Sequence, residues 1–167
     1  MSKHSANIYH PWSTSIDARE EARRRGDRKI GTEHLVLALL MDPVLANALG
    51  CDLRAARAAL DAMDREALTA VGMDSTLDAP PLPTRDRGAR PPRPTVKAVL
   101  WDRLPLTPSA KSVLRASSKE MRRGHAHPGP QHILAALLEL QRPDPAAELF
   151  ASLGVDPATA RERLAAA

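Results

Sequence analysis

The sequence contains very few aromatic residues. Its 167 residues include two tryptophans, one tyrosine and one phenylalanine: Trp12, Trp101, Tyr9 and Phe150. Hydrophobic residues nevertheless make up 43% of the chain, so its core must come from Leu, Val, Ile and Ala. That composition favours packed helices over β-sheets, since strands are enriched in aromatic and β-branched residues. We therefore predict an all-α protein.

Cysteine and long apolar runs are also scarce. Cys51 is the single cysteine, so no disulfide forms within the chain, which is typical of a reducing compartment. Its neighbours predict a small structural residue near a helix end. The first twelve residues lack the apolar run of a signal peptide, and no stretch approaches the ~20 apolar residues of a membrane span. These observations predict a cytoplasmic protein with no membrane contact.

The common catalytic motifs are absent. The sequence has no P-loop, no G-x-G-x-x-G after a strand, no G-x-S-x-G and no H-E-x-x-H. His125, His127 and His132 are close in sequence, but no Cys or carboxylate lies at ligand spacing, and prolines surround them. We expect no enzymatic activity, no cofactor and no metal site.

The chain repeats itself. Gly31 and His34 align with Gly129 and His132, and each pair is followed by an apolar run, LVLALL in the first copy and ILAALL in the second. Both copies also have an Arg-Gly pair before this Gly-x-x-His segment and a Leu-Gly-x-Asp sequence after it. Such ordered agreement identifies an internal repeat.

Helix boundaries repeat as well. Asp-Pro pairs at 42–43 and 144–145 place a capping Asp before a Pro at the first helical position. Gly50 and Gly154 are suited to ending those helices. Each copy is predicted to contain four helices, at 13–25, 32–41, 43–49, 53–70, 107–123, 130–141, 145–153 and 157–166. The predicted organisation is a tail at 1–12, repeat one at 13–71, a linker at 72–104 and repeat two at 105–167.

The linker is rich in proline and arginine. Residues 79–94 hold six of the fifteen prolines, together with Arg85, Arg87, Arg90 and Arg93. Proline stiffens an extended chain and cannot continue a helix. A solvated basic linker is the plainer interpretation, and contact with an acidic partner is the alternative. The formal net charge of +4 and the few aromatic residues do not favour nucleic acid as a partner.

Thr32, Glu33 and His34 stand at the start of a predicted helix. Adjacent residues on a helix point in different directions, which argues against a hydrolytic triad. A helix start suits an anion, and Glu33 in the first turn also stabilises the helix by itself. The plain interpretation of His34 and His132 is a hydrogen-bonded core histidine that ties down a loop.

The segments IGTEHLVLALL (30–40) and LGCDL (49–53), with their second copies, resemble the Clp N-terminal repeat of ClpC, ClpA and ClpB unfoldases. The resemblance covers nearly the whole chain except the tail and the linker. It implies two four-helix repeats related by a pseudo-twofold axis and packed into one domain. In the unfoldases this domain docks adaptors and substrates and an ATPase ring follows it. No ATPase segment follows here, so we expect a free-standing domain that recognises without unfolding.

The resemblance also implies a ligand. In ClpC-type domains, the glutamate of the GTEH string and its neighbours bind phosphoarginine, in which a carboxylate pairs with the guanidinium and helix N–H groups take the phosphate. Thr32 and Glu33 match that string. The second copy has Pro130, which lacks an N–H, and Gln131, which lacks the charge. Thr32, Glu33 and Gln131 are therefore the ligand-binding candidates, and we expect the second site to be lost.

A second family site is the groove between the first helices of the two repeats, where cyclic peptide antibiotics bind some ClpC domains. The matching candidates in this sequence are Trp12, Ile16, Leu106, Lys111 and Val113. The start of the first helix departs from the family pattern because Pro11 interrupts it. The resemblance therefore predicts a reshaped groove.

Two functional classes follow. The first is a Clp accessory protein, an adaptor or a decoy whose partner is a Clp ATPase, an adaptor or a degradation substrate. The alternative is a ligand-sensing regulator with weak nucleic-acid contacts through its basic linker, although four arginines would give only weak, salt-sensitive binding.

Overall fold

The computed structural model describes residues 11–73, 104–122 and 129–166; of 11–13 and 119–122 it describes only the backbone. The described residues form eight helices. Repeat one contains α1 (Pro11–Arg25), α2 (Thr32–Leu39), α3 (Pro43–Leu49) and α4 (Leu53–Ala70). Repeat two contains α5 (Pro108–Arg122), α6 (Pro130–Leu137), α7 (Pro145–Ser152) and α8 (Pro157–Ala166). The all-α prediction and the two sets of four helices are confirmed.

The predicted capping signals are present at the helix ends. Asp42 and Asp144 accept a hydrogen bond from the backbone N–H two residues later, at Val44 and Ala146, and a proline follows each cap. Gly50 ends α3 with φ +71°, a left-handed conformation that favours glycine. α1 begins at Pro11, two residues earlier than predicted, so the last two residues of the predicted tail are helical. α2 and α6 end two and four residues earlier than predicted, at Leu39 and Leu137. Their last carbonyls are used in tight turns instead.

The two repeats interlock. α2 packs against α5, α6 and α7, while α3 of repeat one packs on α8 and α4 packs on α7. A short parallel bridge also joins the repeats: the Ile30 N–H donates to the Pro105 carbonyl, and the Thr107 N–H donates to the Ile30 carbonyl, both at 2.9 Å. Each repeat therefore completes its core with helices of the other, as expected for units of ~60 residues that bury little surface alone.

The core is aliphatic, as the composition predicted. α2 lies at its centre, with every residue but Glu33 buried. Phe150 is the aromatic residue within the described core, and the rest is built mainly from leucine, alanine, isoleucine and valine. Within the described residues, no single helix is long and apolar enough to cross a membrane; α2 and α3 pass that test only as a pair, which bends by 114°.

The predicted linker at 72–104 and the predicted tail at 1–12 lie mostly outside the described residues, and His125 and His127 lie wholly outside them. In the ranges that the structure describes, no three His, Cys, Asp or Glu side chains converge as a metal site. Cys51 follows the end of α3, is half-buried and packs against the core. Burial, with a smaller contribution from Asp52, raises the pKa of its thiol.

Candidate functional site at the start of α2

The turn that opens α2 is organised by His34, which is fully buried. The Gly31 N–H donates to His34 Nδ1 at 3.0 Å, and His34 Nε2 lies 3.0 Å from Asp27 Oδ2. An Nδ1 that accepts a hydrogen bond places the proton of a neutral imidazole on Nε2, which then donates to Asp27. His34 thus satisfies the orphan N–H before the helix and ties the α1–α2 loop to it, in agreement with the plain interpretation.

The Glu33 carboxylate folds back over Gly31. Its atoms occupy the space that a Cβ on residue 31 would need, so only glycine leaves room for this arrangement. The side chain is 18% exposed, and Oε1 lies 3.1 Å from His34 Nδ1. Oε2 is buried and has no hydrogen-bond partner among the described residues. The result is a largely buried carboxylate, one oxygen of which has no donor within the part of the chain that the structure describes.

Thr32 faces inward, toward the other repeat. Its Oγ1 donates to Asp144 Oδ1 at 2.6 Å and accepts from the Ala146 N–H at 3.3 Å. Asp144 caps α7, so the Thr32 hydroxyl joins the starts of two helices from different repeats. The three neighbours Thr32, Glu33 and His34 therefore point to three different places, as helix geometry predicted.

The second repeat copies the turn with different side chains. The Gly129 N–H donates to His132 Nδ1 at 3.2 Å, and the Gln131 side chain folds over Gly129 as Glu33 does over Gly31. Pro130 takes the first helical position, where no N–H or hydroxyl is available. This copy presents an uncharged amide at the position that holds a carboxylate in repeat one.

The groove candidates lie in different environments. Ile16 is 53% exposed on α1, Lys111 is exposed on α5, and Leu106 is half-buried beside the bridge to Ile30. Val113 is buried in the core and faces no solvent. The side chain of Trp12 is outside the described part of the chain. Of the candidates described, Ile16, Leu106 and Lys111 have solvent-accessible side chains.

Two groups of charged contacts beside the site were not predicted from the sequence. Glu21, which is buried on α1, accepts two hydrogen bonds from the Arg57 guanidinium on α4. Arg25 contacts Asp27 next to the site and also Asp61 and Asp64 on α4. The partners on α4 lie 36 or 39 residues away along the chain, which explains why no local pattern indicates these pairs. Together they fix α4 against the end of α1 and against the loop that carries Asp27.

No protein-family model matches the chain. The sequence is similar to chloroplastic ClpC2 of Oryza sativa, chloroplastic ClpC of Pisum sativum and chloroplastic ClpC1 of Arabidopsis thaliana, each 28% identical over 153 residues that cover 88% of this chain. The chain spans about 13% of the length of these relatives.

The crystal structure of the N-terminal domain of the chaperone ClpD from Arabidopsis thaliana has the same fold. It superposes with a TM-score of 0.63 and 18% sequence identity, covering 93% of this chain and 92% of that one. The interlocked pair of four-helix repeats is therefore the fold of a Clp N-terminal domain, and the chain is a Clp N-terminal-domain-like protein.

Proposed function

We propose that this chain is a non-catalytic, cytoplasmic binding module of the Clp proteolytic system, acting as an adaptor or a decoy for ligands of ClpC-type chaperones. Its partner would be a Clp ATPase, an adaptor or a degradation substrate. The observation that carries the proposal is the incompletely satisfied Glu33 carboxylate at the opening of α2, on a Clp N-terminal fold.

The chemistry of this opening favours a donor-rich cation. None of the described residues donates to Glu33 Oε2, and Glu33 Oε1 lies near His34 Nδ1, which already accepts from Gly31. The Glu33 oxygens and His34 Nδ1 are all acceptors, so a ligand that donates N–H groups would satisfy them. A guanidinium has five N–H donors in a planar arrangement. Phosphoarginine fits because N–H groups at the start of α2 would be available to its phosphate.

Repeat one is the proposed site, and repeat two is not. Gln131 carries no charge to pair with a guanidinium, and Pro130 removes an N–H that a phosphate would use. Thr32 supports the site indirectly, because its hydroxyl already contacts Asp144 and Ala146. A binding stoichiometry of one ligand per chain follows.

Cyclic peptides are the second candidate ligand of this module. The exposed Ile16 and Lys111 and the half-buried Leu106 would contact such a ligand. Val113 would act only by supporting the surface from inside the core.

The test is titration calorimetry of the whole chain with a phosphoarginine peptide and with the same peptide carrying plain arginine. We expect one site for the phosphorylated peptide, and a loss of about tenfold or more with Glu33→Gln, since one lost charge-assisted contact is worth about 1.4 kcal/mol or more.

Two control variants sharpen the test. Glu66→Gln removes an exposed carboxylate from α4 and should leave affinity unchanged. Thr32→Val should lower stability yet keep most of the affinity. Absence of binding to the phosphorylated peptide, or equal affinity of wild type and Glu33→Gln, would rule out this ligand at this site.

A further inference from the structure

A second opening lies between the repeats, away from Glu33. It is a groove of about 650 Å³ between α3 and the last turns of α8, lined by Pro43, Val44, Asn47, Ala48, Gly50 and Arg163. Its size falls in the range of ligand sites, and few polar groups face it. Val44, a large apolar side chain, is 56% exposed there.

Among the described residues that line the groove, one is charged, and it is a cation. Arg163 Nη1 lies 3.2 Å from the position that a Cβ on Gly50 would take, so the guanidinium rests in space left by the glycine. No carboxylate or carbonyl of the described residues pairs with Arg163, in contrast to Arg25 and Arg57. An unpaired guanidinium beside an apolar wall is complementary to a carboxylate, which it binds through two parallel N–H bonds.

Asn47 indicates which polar group of a ligand could lie in the groove. Its side-chain amide provides both a donor and an acceptor, which matches the paired N–H and C=O of a peptide group. Pro43, Val44 and Ala48 offer only apolar contact to a neighbouring side chain. A carboxylate, a peptide group and an apolar side chain occur together at the end of a polypeptide.

We propose that the α3–α8 groove binds the C-terminal end of a partner polypeptide with an apolar last residue. The α-carboxylate pairs with Arg163, the last peptide group pairs with Asn47, and the last side chain covers Val44. This site is separate from the Glu33 site, so the two proposals succeed or fail independently.

The test uses a fluorescein-labelled hexapeptide ending in Leu-Val-Leu, with either a free carboxylate or a C-terminal amide, and measures anisotropy with the whole chain. We expect the free acid to bind about tenfold more tightly, which corresponds to about 1.4 kcal/mol. Arg163→Gln should remove that difference, and Val44→Asp should weaken both peptides. Arg54→Gln, which removes another exposed helical arginine, should preserve it.

Equal binding of acid and amide by the wild type would overturn the proposal, as would no binding of either at millimolar peptide. Displacement of the peptide by octanoate at equal concentration would also overturn it, because a hydrocarbon acid cannot use Asn47. In a backbone NMR titration, shifts must centre on residues 43–50 and 163; shifts centred on 31–34 instead would assign the peptide to the Glu33 site and contradict the proposal.

Discussion

The turns that open α2 and α6 share a backbone plan and differ in chemistry. In both, a glycine donates its N–H to the histidine three residues later, and the side chain two residues after the glycine folds back over it. Repeat one has a buried hydroxyl and a carboxylate at the two positions where repeat two has proline and glutamine. The shared plan serves the fold in both repeats, and Glu33 is the differing side chain that we propose serves a ligand.

Removing the histidine from each turn tests whether the two turns contribute unequally to stability. His34→Ala should destabilise by about 2–4 kcal/mol, because it leaves a buried cavity and an unpaired N–H at Gly31. His132→Ala should cost only about 1 kcal/mol, since His132 is half-buried. Urea unfolding of both variants measures the gap. Equal losses would mean that the two turns support the fold to the same degree.

A second comparison concerns Arg57 and Arg161, which align in the two repeats. Arg57, with 28% of its side chain exposed, pairs with the buried Glu21 on α1. Arg161 donates instead to the Leu138 carbonyl at 2.6 Å, beyond the end of α6. Removing Arg57 leaves the buried Glu21 carboxylate with only a long contact to Arg24, at 3.9 Å, whereas removing Arg161 takes one donor from a neutral carbonyl.

We therefore expect Arg57→Met to cost about 2–3 kcal/mol, somewhat below the value for fully buried pairs, and Arg161→Met to cost about 1 kcal/mol or less. Thermal and urea unfolding provide the measurement. If Glu21→Gln introduced together with Arg57→Met recovers none of the loss, the unpaired charge is not its cause.

The smallest expected effect concerns the aspartates that cap the starts of α4 and α8. Asp52 accepts one backbone N–H, at Ala55, whereas Asp156 accepts both the N–H and the hydroxyl of Thr159. These hydrogen bonds lower the pKa of Asp156. A carboxyl group whose pKa is lower in the folded state stabilises the fold above its unfolded pKa, and that contribution is lost as the pH falls through the folded value.

Asp156→Asn should therefore leave stability near pH 7 almost unchanged, because Asn is also a good cap, and should flatten its decline below pH 4. Urea midpoints between pH 2.5 and 7 provide the measurement, with Asp52→Asn as the matched variant. An identical acid decline in wild type and Asp156→Asn would show that Asp156 does not contribute to it.

Many helix boundaries and turns of the fold could be predicted from local sequence patterns. Asp42 and Asp144 before prolines, Gly50 after an apolar run and the repeated G-x-x-H segment each act within one turn of chain, so sequence spacing alone indicates them. The early ends of α2 and α6 were missed because tight turns beyond Leu39 and Leu137 take the place of further helix, although the apolar run continues.

The site was predicted less completely. Glu33 and His34 could be placed at a helix start, yet the partners that define their roles were not evident. Asp144 lies 112 residues from Thr32, and only the packing of repeat two on repeat one brings the two together. Val113 looked like a groove residue by alignment, but the orientation of α5 buries it.

The helical class, the internal repeat and the side-chain types at each turn could all be predicted from the sequence. Helix caps, periodicity and side-chain identity are local properties of the chain. The tertiary structure decided which groups remain unsatisfied. Thr32 is engaged by Asp144 across the repeats, while Glu33 Oε2 is left without a donor and Arg163 without an ion-pair partner among the described residues. Those outcomes depend on how helices distant in sequence pack, since a hydrogen bond forms only between groups that the fold brings within reach.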